Sequence, residues 1–392
     1  MKSDMQFYLG PKAKSQKIYL FRFGSLTMKF FLIMNKLILL IIFFSFPSFT
    51  TAQSADYLKT YLSGTEVTAI CSDGQSIWAA TNGKGILKYS AASDKFETLP
   101  NSDNNLQQNV FYSIAANNQF VWAGSTDGLF IYDKKRNYWT KRKFGLGGQL
   151  SNWIRSLAYD KYENVLWIGR FMYLSKYDLK TRRFTDYDLT IKGDKKTNTI
   201  KTIAIDGDSL IWFGTEAGLH KYNTSKNLND HSSRQFYDNK LNFFNGEGEQ
   251  VSISAVAFEG NNIWIGTDEF FTKEKPEFNV GGIYKFNRKN DWYKFDVTNG
   301  LPGNGVTALA RTGNYIWAAL YQFGSSSKEI YGRGIVLINR LTNRITPVRD
   351  NRIPDLINCL YFDGTNMWIG TESNLVKVEL KNKLALWNKK DK

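Results

Sequence analysis

Apolar and polar residues alternate along this chain in short bursts, separated by clusters rich in Asp, Asn and Gly. Alternation with a period of two predicts β-strands, and the Asp/Asn/Gly clusters predict the turns that join them. One burst recurs almost unchanged as IWAAT, VWAGS, LWIGR, IWFGT, IWIGT, IWAAL and MWIGT. Its centres are Trp78, Trp122, Trp167, Trp212, Trp264, Trp317 and Trp368, spaced by 44, 45, 45, 52, 53 and 51 residues. Self-similarity at such a period marks a repeat architecture.

Each repeat reads as four short strands. The first is VTAI at 67–70, matched by FYSI, IRSL, IKTI, ISAV, VTAL and INCL. Turns such as Asp73-Gly74, Asp206-Gly207 and Asp363-Gly364 lead into the tryptophan strand. The third strand opens on Gly85-Ile86, Gly128-Leu129, Gly218-Leu219, Gly282-Ile283 or Gly334-Ile335. An outer aromatic (Phe96, Trp139, Phe184, Phe236, Trp292) marks the fourth. Four antiparallel strands repeated seven times predict an all-β fold, a seven-bladed β-propeller. The third position of the first strand is small throughout: Ala69, Ser113, Ser156, Thr202, Ala255, Ala308 and Cys359. Crowding of the innermost strands near the axis explains that choice. A linear solenoid would need atypical capping repeats, and the sequence shows none, so the ring is expected to close. Two segments compete to close it, 57–62 before the first repeat and 383–388 after the last. The propeller is assigned to 53–392, with blades at approximately 63–100, 106–145, 150–190, 198–244, 251–298, 304–349 and 355–390.

Residues 1–52 change the picture of location and charge. Met34-Asn35-Lys36 precedes an apolar run at 37–46, and Thr50-Thr51-Ala52 offers small residues for cleavage before Gln53. That is the pattern of an export signal, and the run is short for a span of roughly 20 residues. The protein is therefore expected in the periplasm, on the cell surface or outside the cell. The formal charge of +15 includes seven basic residues and one acid from this segment, leaving 44 basic against 35 acidic residues, a net of +9. The basic residues are dispersed, whereas a nucleic-acid surface clusters them, so no nucleic-acid partner is expected. Two cysteines and two histidines are too few for a cysteine-rich zinc module or a multi-histidine site. No cofactor is expected.

The repeats resemble those of the two-component regulator propeller family. Gly300-Leu301-Pro302-Gly303-Asn304-Gly305-Val306 matches the start of that repeat, and Leu150-Ser151-Asn152 and Gln108-Asn109-Val110 are degraded copies. Trp264-Ile265-Gly266-Thr267 and Trp368-Ile369-Gly370-Thr371 match its core. The likeness covers about 57–387. It implies a periplasmic sensor fold, a carbohydrate-type ligand and a membrane or periplasmic signalling partner. No kinase segment follows the last repeat, so the reading is a stand-alone sensor-type propeller.

Propellers commonly bind at the mouth of the central channel. The second position of each first strand is polar in most blades: Thr68, Tyr112, Arg155, Lys201, Ser254, Thr307 and Asn358. By alternation this column is expected to line the channel. Tyr112, Arg155, Lys201 and Asn358, with Trp153, would then meet an anionic or sugar ligand; otherwise they satisfy a water-filled wall. A second column, Asn82, Asp127, Glu216, Asp268 and Glu372, either caps tight turns or offers oxygen ligands to calcium. Insertions at 223–235, 269–280 and 321–331 lengthen blades four to six, and Phe270, Phe271, Phe278 and Tyr321 stand there as rim candidates beside Asp268. His220 and His231 read as structural. Cys71 and Cys359 read as free thiols or as one disulfide between neighbouring blades. Three functions remain: an exported sensor binding a glycan or protein, an extracellular scaffold or adhesin, and a carbohydrate-active or lyase-type enzyme.

Overall fold

A computed structural model describes residues 57–99, 110–145, 148–239, 243–244, 250–270, 280–324 and 329–380. The export signal, Phe271, Phe278 and 383–388 lie outside the described residues. Among the described residues, 28 strands form seven four-stranded antiparallel sheets. Six sheets take their strands consecutively from the chain. The seventh borrows its outermost strand, Leu58–Tyr61, which pairs with Leu375–Glu379 in register Leu58↔Val378 to Tyr61↔Leu375. The seven-bladed propeller is thus closed by the segment before the first repeat.

The core is divided as the repeat predicts. Seven apolar clusters each join one face of a blade to the opposite face of the next. Every motif tryptophan is at most 1% exposed. Burying such a ring removes on the order of 200 Å² from water, so these tryptophans hold the ring together and are not ligand platforms. The motif glycine follows from the same interfaces. A Cβ on Gly169 would collide with Ser156 Oγ and stand 2.7 Å from Ile200 Cγ2 of the next blade. Gly124 meets the same pair of neighbours in Ser113 and Ile154.

Alternation fails at one repeated place. In all seven inner strands the register slips between positions one and three, from Val67/Ala69 to Ile357/Cys359. Position two is therefore the extra residue of a β-bulge. The slip sends position one to the same side as positions four and six. Phe111, Ile114 and Ala116 accordingly pack together against Trp78 and Ala80 of the preceding blade. Because each sheet stands radially, both of its faces meet neighbouring blades. The polar column therefore cannot be assigned to the channel wall by alternation.

Polar side chains lock the lower edge, where the inner strands end. Five tryptophans donate their indole N–H to the end of the inner strand: Trp78 to Asp73, Trp212 to Asp206, Trp264 to Glu259, Trp317 to Thr312 and Trp368 to Asp363, at 2.7–3.0 Å. Three of these acids also bind a cation from the next blade, in Lys134–Asp73, Arg288–Asp206 and Arg340–Glu259. At the closure, Asp94 of blade one accepts from Lys59 Nζ (2.9 Å), Tyr61 Oη (2.7 Å) and Tyr89 Oη (2.6 Å). The closing strand is thus clasped to the first blade as well as paired with the last. At the insertion 321–331 the described residues extend the second and third strands of blade six, with Tyr321↔Gly332, Gln322↔Tyr331 and Phe323↔Ile330 in register.

Candidate functional site

The upper edge, where the inner strands begin, carries the residues expected at the channel mouth. Their bonds run sideways. Arg155 Nη1 lies 2.7 Å from Glu216 Oε1 of the next blade. Lys201 donates to Ser252 Oγ at 3.0 Å and pairs with Asp268, both in the next blade. Asn358 Nδ2 donates to the Val67 carbonyl at 3.2 Å, and Thr68 Oγ1 donates to the Phe111 carbonyl. Bulge residues of blades one, three, four and seven therefore meet residues of the following blade, and in blades three and four they meet its acid, whereas Thr307 Oγ1 donates within its own blade to the Ala319 carbonyl. The two candidate columns meet in two inter-blade ties, Arg155–Glu216 and Lys201–Asp268.

This arrangement corrects two expectations. Arg155 and Lys201 are already neutralised, so they do not offer a free cationic funnel. The acids do not cap the turns after the tryptophan motif either. The motif hydroxyl does so, with Thr81, Ser125, Thr215, Thr267 and Thr371 accepting from turn N–H groups. Asp127 pairs with Lys141 and Lys143. Asp268 is enclosed by Lys201, Ser252 Oγ (2.6 Å) and Tyr321 Oη (3.3 Å). Burial and the neighbouring Asp268 hold the Tyr321 hydroxyl well above the usual phenol range. Among the described residues no group of three or more His, Cys, Asp or Glu is placed to hold a metal. Phe270 is half-buried and paired with Val280 through two backbone hydrogen bonds of 2.8 and 2.7 Å.

Aromatic surface gathers around blade three. Trp153 lies parallel to Phe171, with centroids 5.3 Å apart and an interplanar angle of 5°. Tyr112, 37% exposed, leans on Trp153 at 5.5 Å. The Arg155 guanidinium stands 5.4 Å from the Trp153 ring and 5.6 Å from Phe171. Together they form an aromatic shelf edged by a neutral Arg155–Glu216 pair.

Phe171 was not singled out from the sequence, although a signal was present. Blade three combines two changes that occur singly elsewhere: Arg170 replaces the motif hydroxyl, as Leu320 does in blade six, and the glycine before the third strand is missing, as at Asn374 in blade seven. In blade three Tyr173 takes that place at φ 75°, a left-handed conformation costly for an aromatic residue. Arg170 is fully buried, pairs with Asp186 at 3.0 Å and lies over Phe144 at 4.6 Å. The altered loop thus hides a cation and presents Phe171.

His220 is fully buried, and its Nε2 donates to the Thr197 carbonyl at 2.8 Å. Desolvation pushes its pKa down to about 4, so it is a neutral wall residue remote from solvent. Cys71 and Cys359 are free thiols.

No model of a known protein family matches the chain. Part of it is similar to histidine kinase P4 of Formosa agariphila, 28% identical over 155 residues, covering 37% of this chain and 11% of that protein. The fold is similar to the extracellular domain of the hybrid two component system BT4673 from B. thetaiotaomicron, at a TM-score of 0.60 and 18% identity. That match covers 82% of this chain and 39% of the other. The BT3049 extracellular domain from the same organism gives 0.58 and 17%, over 81% of this chain and 40% of the other. Virginiamycin B lyase from Staphylococcus aureus gives 0.58 and 13%, over 82% and 99%. The chain thus spans about two fifths of the sensor domains it resembles and a small part of the kinase. At these identities the structural likeness is one of fold.

Proposed function

We propose that this protein is an exported, non-catalytic sensor-type propeller that binds a neutral carbohydrate-type ligand on its upper face. Its resemblance to extracellular sensor domains of two-component systems supports the class of function. The observation that carries the site is the Tyr112–Trp153–Phe171 shelf beside the Arg155–Glu216 pair. Aromatic faces stack on the C–H face of a sugar ring, while a neutral ion pair offers donors and acceptors to hydroxyls. An anionic ligand would have to displace Glu216 or Asp268 from the cations they already hold. Ligand occupancy would pass to a membrane or periplasmic signalling protein through the rim.

Thermal-shift and calorimetric titration with neutral oligosaccharides test this reading. Binding to the folded state alone raises the melting temperature. Trp153→Ala or Arg155→Ala is expected to weaken binding at least about tenfold, equivalent to about 1.4 kcal/mol. No shift with any sugar would remove the carbohydrate reading and leave a protein partner, to be sought by cross-linking in the exported fraction. Turnover of a bound sugar would overturn the non-catalytic assignment.

A further inference from the structure

The lower end of the channel holds a second recess of about 740 Å³, formed by blades one, two, three, four and seven. Small-molecule sites typically occupy roughly 300–1,000 Å³. It is bounded by the ends of the inner strands and is therefore separate from the shelf, which stands where those strands begin. Its wall includes Asn117, Asn118 and Gln119 from the turn of blade two and Lys161 and Asn164 from that of blade three. Tyr159 and Tyr361 add aromatic surface.

Both turns depart from the rule that the other five blades follow. In blade two, Asn117 Oδ1 accepts from the Gln119 and Phe120 N–H groups, both at 2.8 Å. In blade three, Asp160 Oδ1 accepts from Tyr162 N at 2.9 Å and Glu163 N at 3.3 Å. Neither side chain serves the indole of its blade, and Trp122 Nε1 and Trp167 Nε1 are buried without a hydrogen-bond partner among the described residues. Two adjacent blades have given up a stabilising bond at the place where the recess opens. Local rules broken together in this way point to a functional demand.

The chemistry of the wall is specific. Asn118, Gln119, Lys161 and Asn164 are exposed. Asn164 Oδ1 accepts from Tyr159 Oη at 2.8 Å, which orients its amide N–H₂ and holds the tyrosine. Tyr159 also stacks on Trp122, 5.7 Å between centroids at 26°. Of the two charged residues in the lining, Asp73 is committed to Lys134 and Trp78. Lys161 makes no hydrogen bond or ion pair among the described residues and rests 5.1 Å from the Tyr162 ring. The recess thus offers one uncommitted cation, several amides and two tyrosines.

We propose that this recess is a second binding site, for an acidic sugar of the uronic acid type. Lys161 takes the carboxylate, the amides of Asn118, Gln119 and Asn164 take hydroxyls, and Tyr159 and Tyr361 face the ring. The site is independent of the upper shelf, which suits a neutral ligand.

Calorimetry at low salt with a galacturonic acid trisaccharide, against maltotriose, tests the proposal. The acidic trisaccharide is expected to bind at least about tenfold more tightly than maltotriose to the Trp153→Ala variant, in which the shelf is disabled. Lys161→Gln is expected to weaken acidic binding by about tenfold, the scale of one charge-assisted hydrogen bond. Lys161 lies on an exposed turn, and an unchanged melting temperature would confirm that the variant folds. Absence of binding by the acidic sugar, equal affinity for maltotriose, or indifference to Lys161→Gln would overturn the proposal. Loss of acidic binding in Arg155→Ala would also overturn it, by moving the ligand to the upper face. Failure of the shelf alone would leave the lower site intact.

Discussion

Single residues in this protein are dictated by the interfaces between blades. Gly169 is glycine because Ser156 on its own sheet and Ile200 on the next blade leave no room for a Cβ. Gly169→Ala is therefore expected to destabilise by about 1–3 kcal/mol, the range for overpacking a filled core. Equilibrium urea unfolding measures it, and an unchanged midpoint would mean that the interface yields. His220 makes a different demand. Its folded pKa is held down to about 4 by burial, whereas an exposed imidazole titrates near 6.5. Between those values the unfolded chain binds more protons, so stability falls as pH drops from about 6.5 toward 4 and levels off below. The effect is on the order of 3 kcal/mol. His220→Gln retains a donor for the Thr197 carbonyl and removes the titration. Unfolding midpoints compared at neutral and acid pH should diverge less in the variant than in wild type, and equal divergence would contradict the assignment.

At the scale of strands, the inner-strand bulge and the closing strand carry the account. The bulge at position two lets Arg155 and Lys201 reach sideways to the following blade, giving Arg155–Glu216 and Lys201–Asp268. A bulge leaves no mark in a hydrophobic pattern, so the sequence reading turned Arg155 and Lys201 toward the channel, whereas the structure pairs both with acids of the next blade. The closing strand is held by Asp94, whose carboxyl is kept well below the usual range chiefly by hydrogen bonds from Tyr89, Lys59 and Tyr61. Asp94→Asn is expected to cost roughly 1–2 kcal/mol, allowing for its exposure. The loss should be largest above the carboxylate range, because acid already protonates Asp94 in wild type and removes the same bonds. Urea titration of both proteins at neutral and strongly acidic pH checks this, and a difference that grew in acid would contradict it.

At the scale of the whole molecule, the tryptophan period made the fold legible. Trp78 to Trp368 fixed the number of blades, and the small third positions fixed which strand lies innermost. The site was only partly legible. Tyr112, Trp153 and Arg155 do meet, but their partner Phe171 depends on the conformation of a single loop, and composition does not reveal that Tyr173 takes a left-handed turn. The lower recess was hidden for a similar reason, since the free indoles of Trp122 and Trp167 appear only once the turn bonds are known. The central claim is that the upper face of blade three is a binding surface. Hydrogen-exchange mass spectrometry of the exported chain, with and without a pool of neutral oligosaccharides, tests it most directly. The account predicts slowed exchange in peptides covering 149–155, 170–174 and 214–217, with the turns at 117–119 and 161–164 unchanged. Protection confined to the outer strands or the lower turns, or none at all, would contradict it.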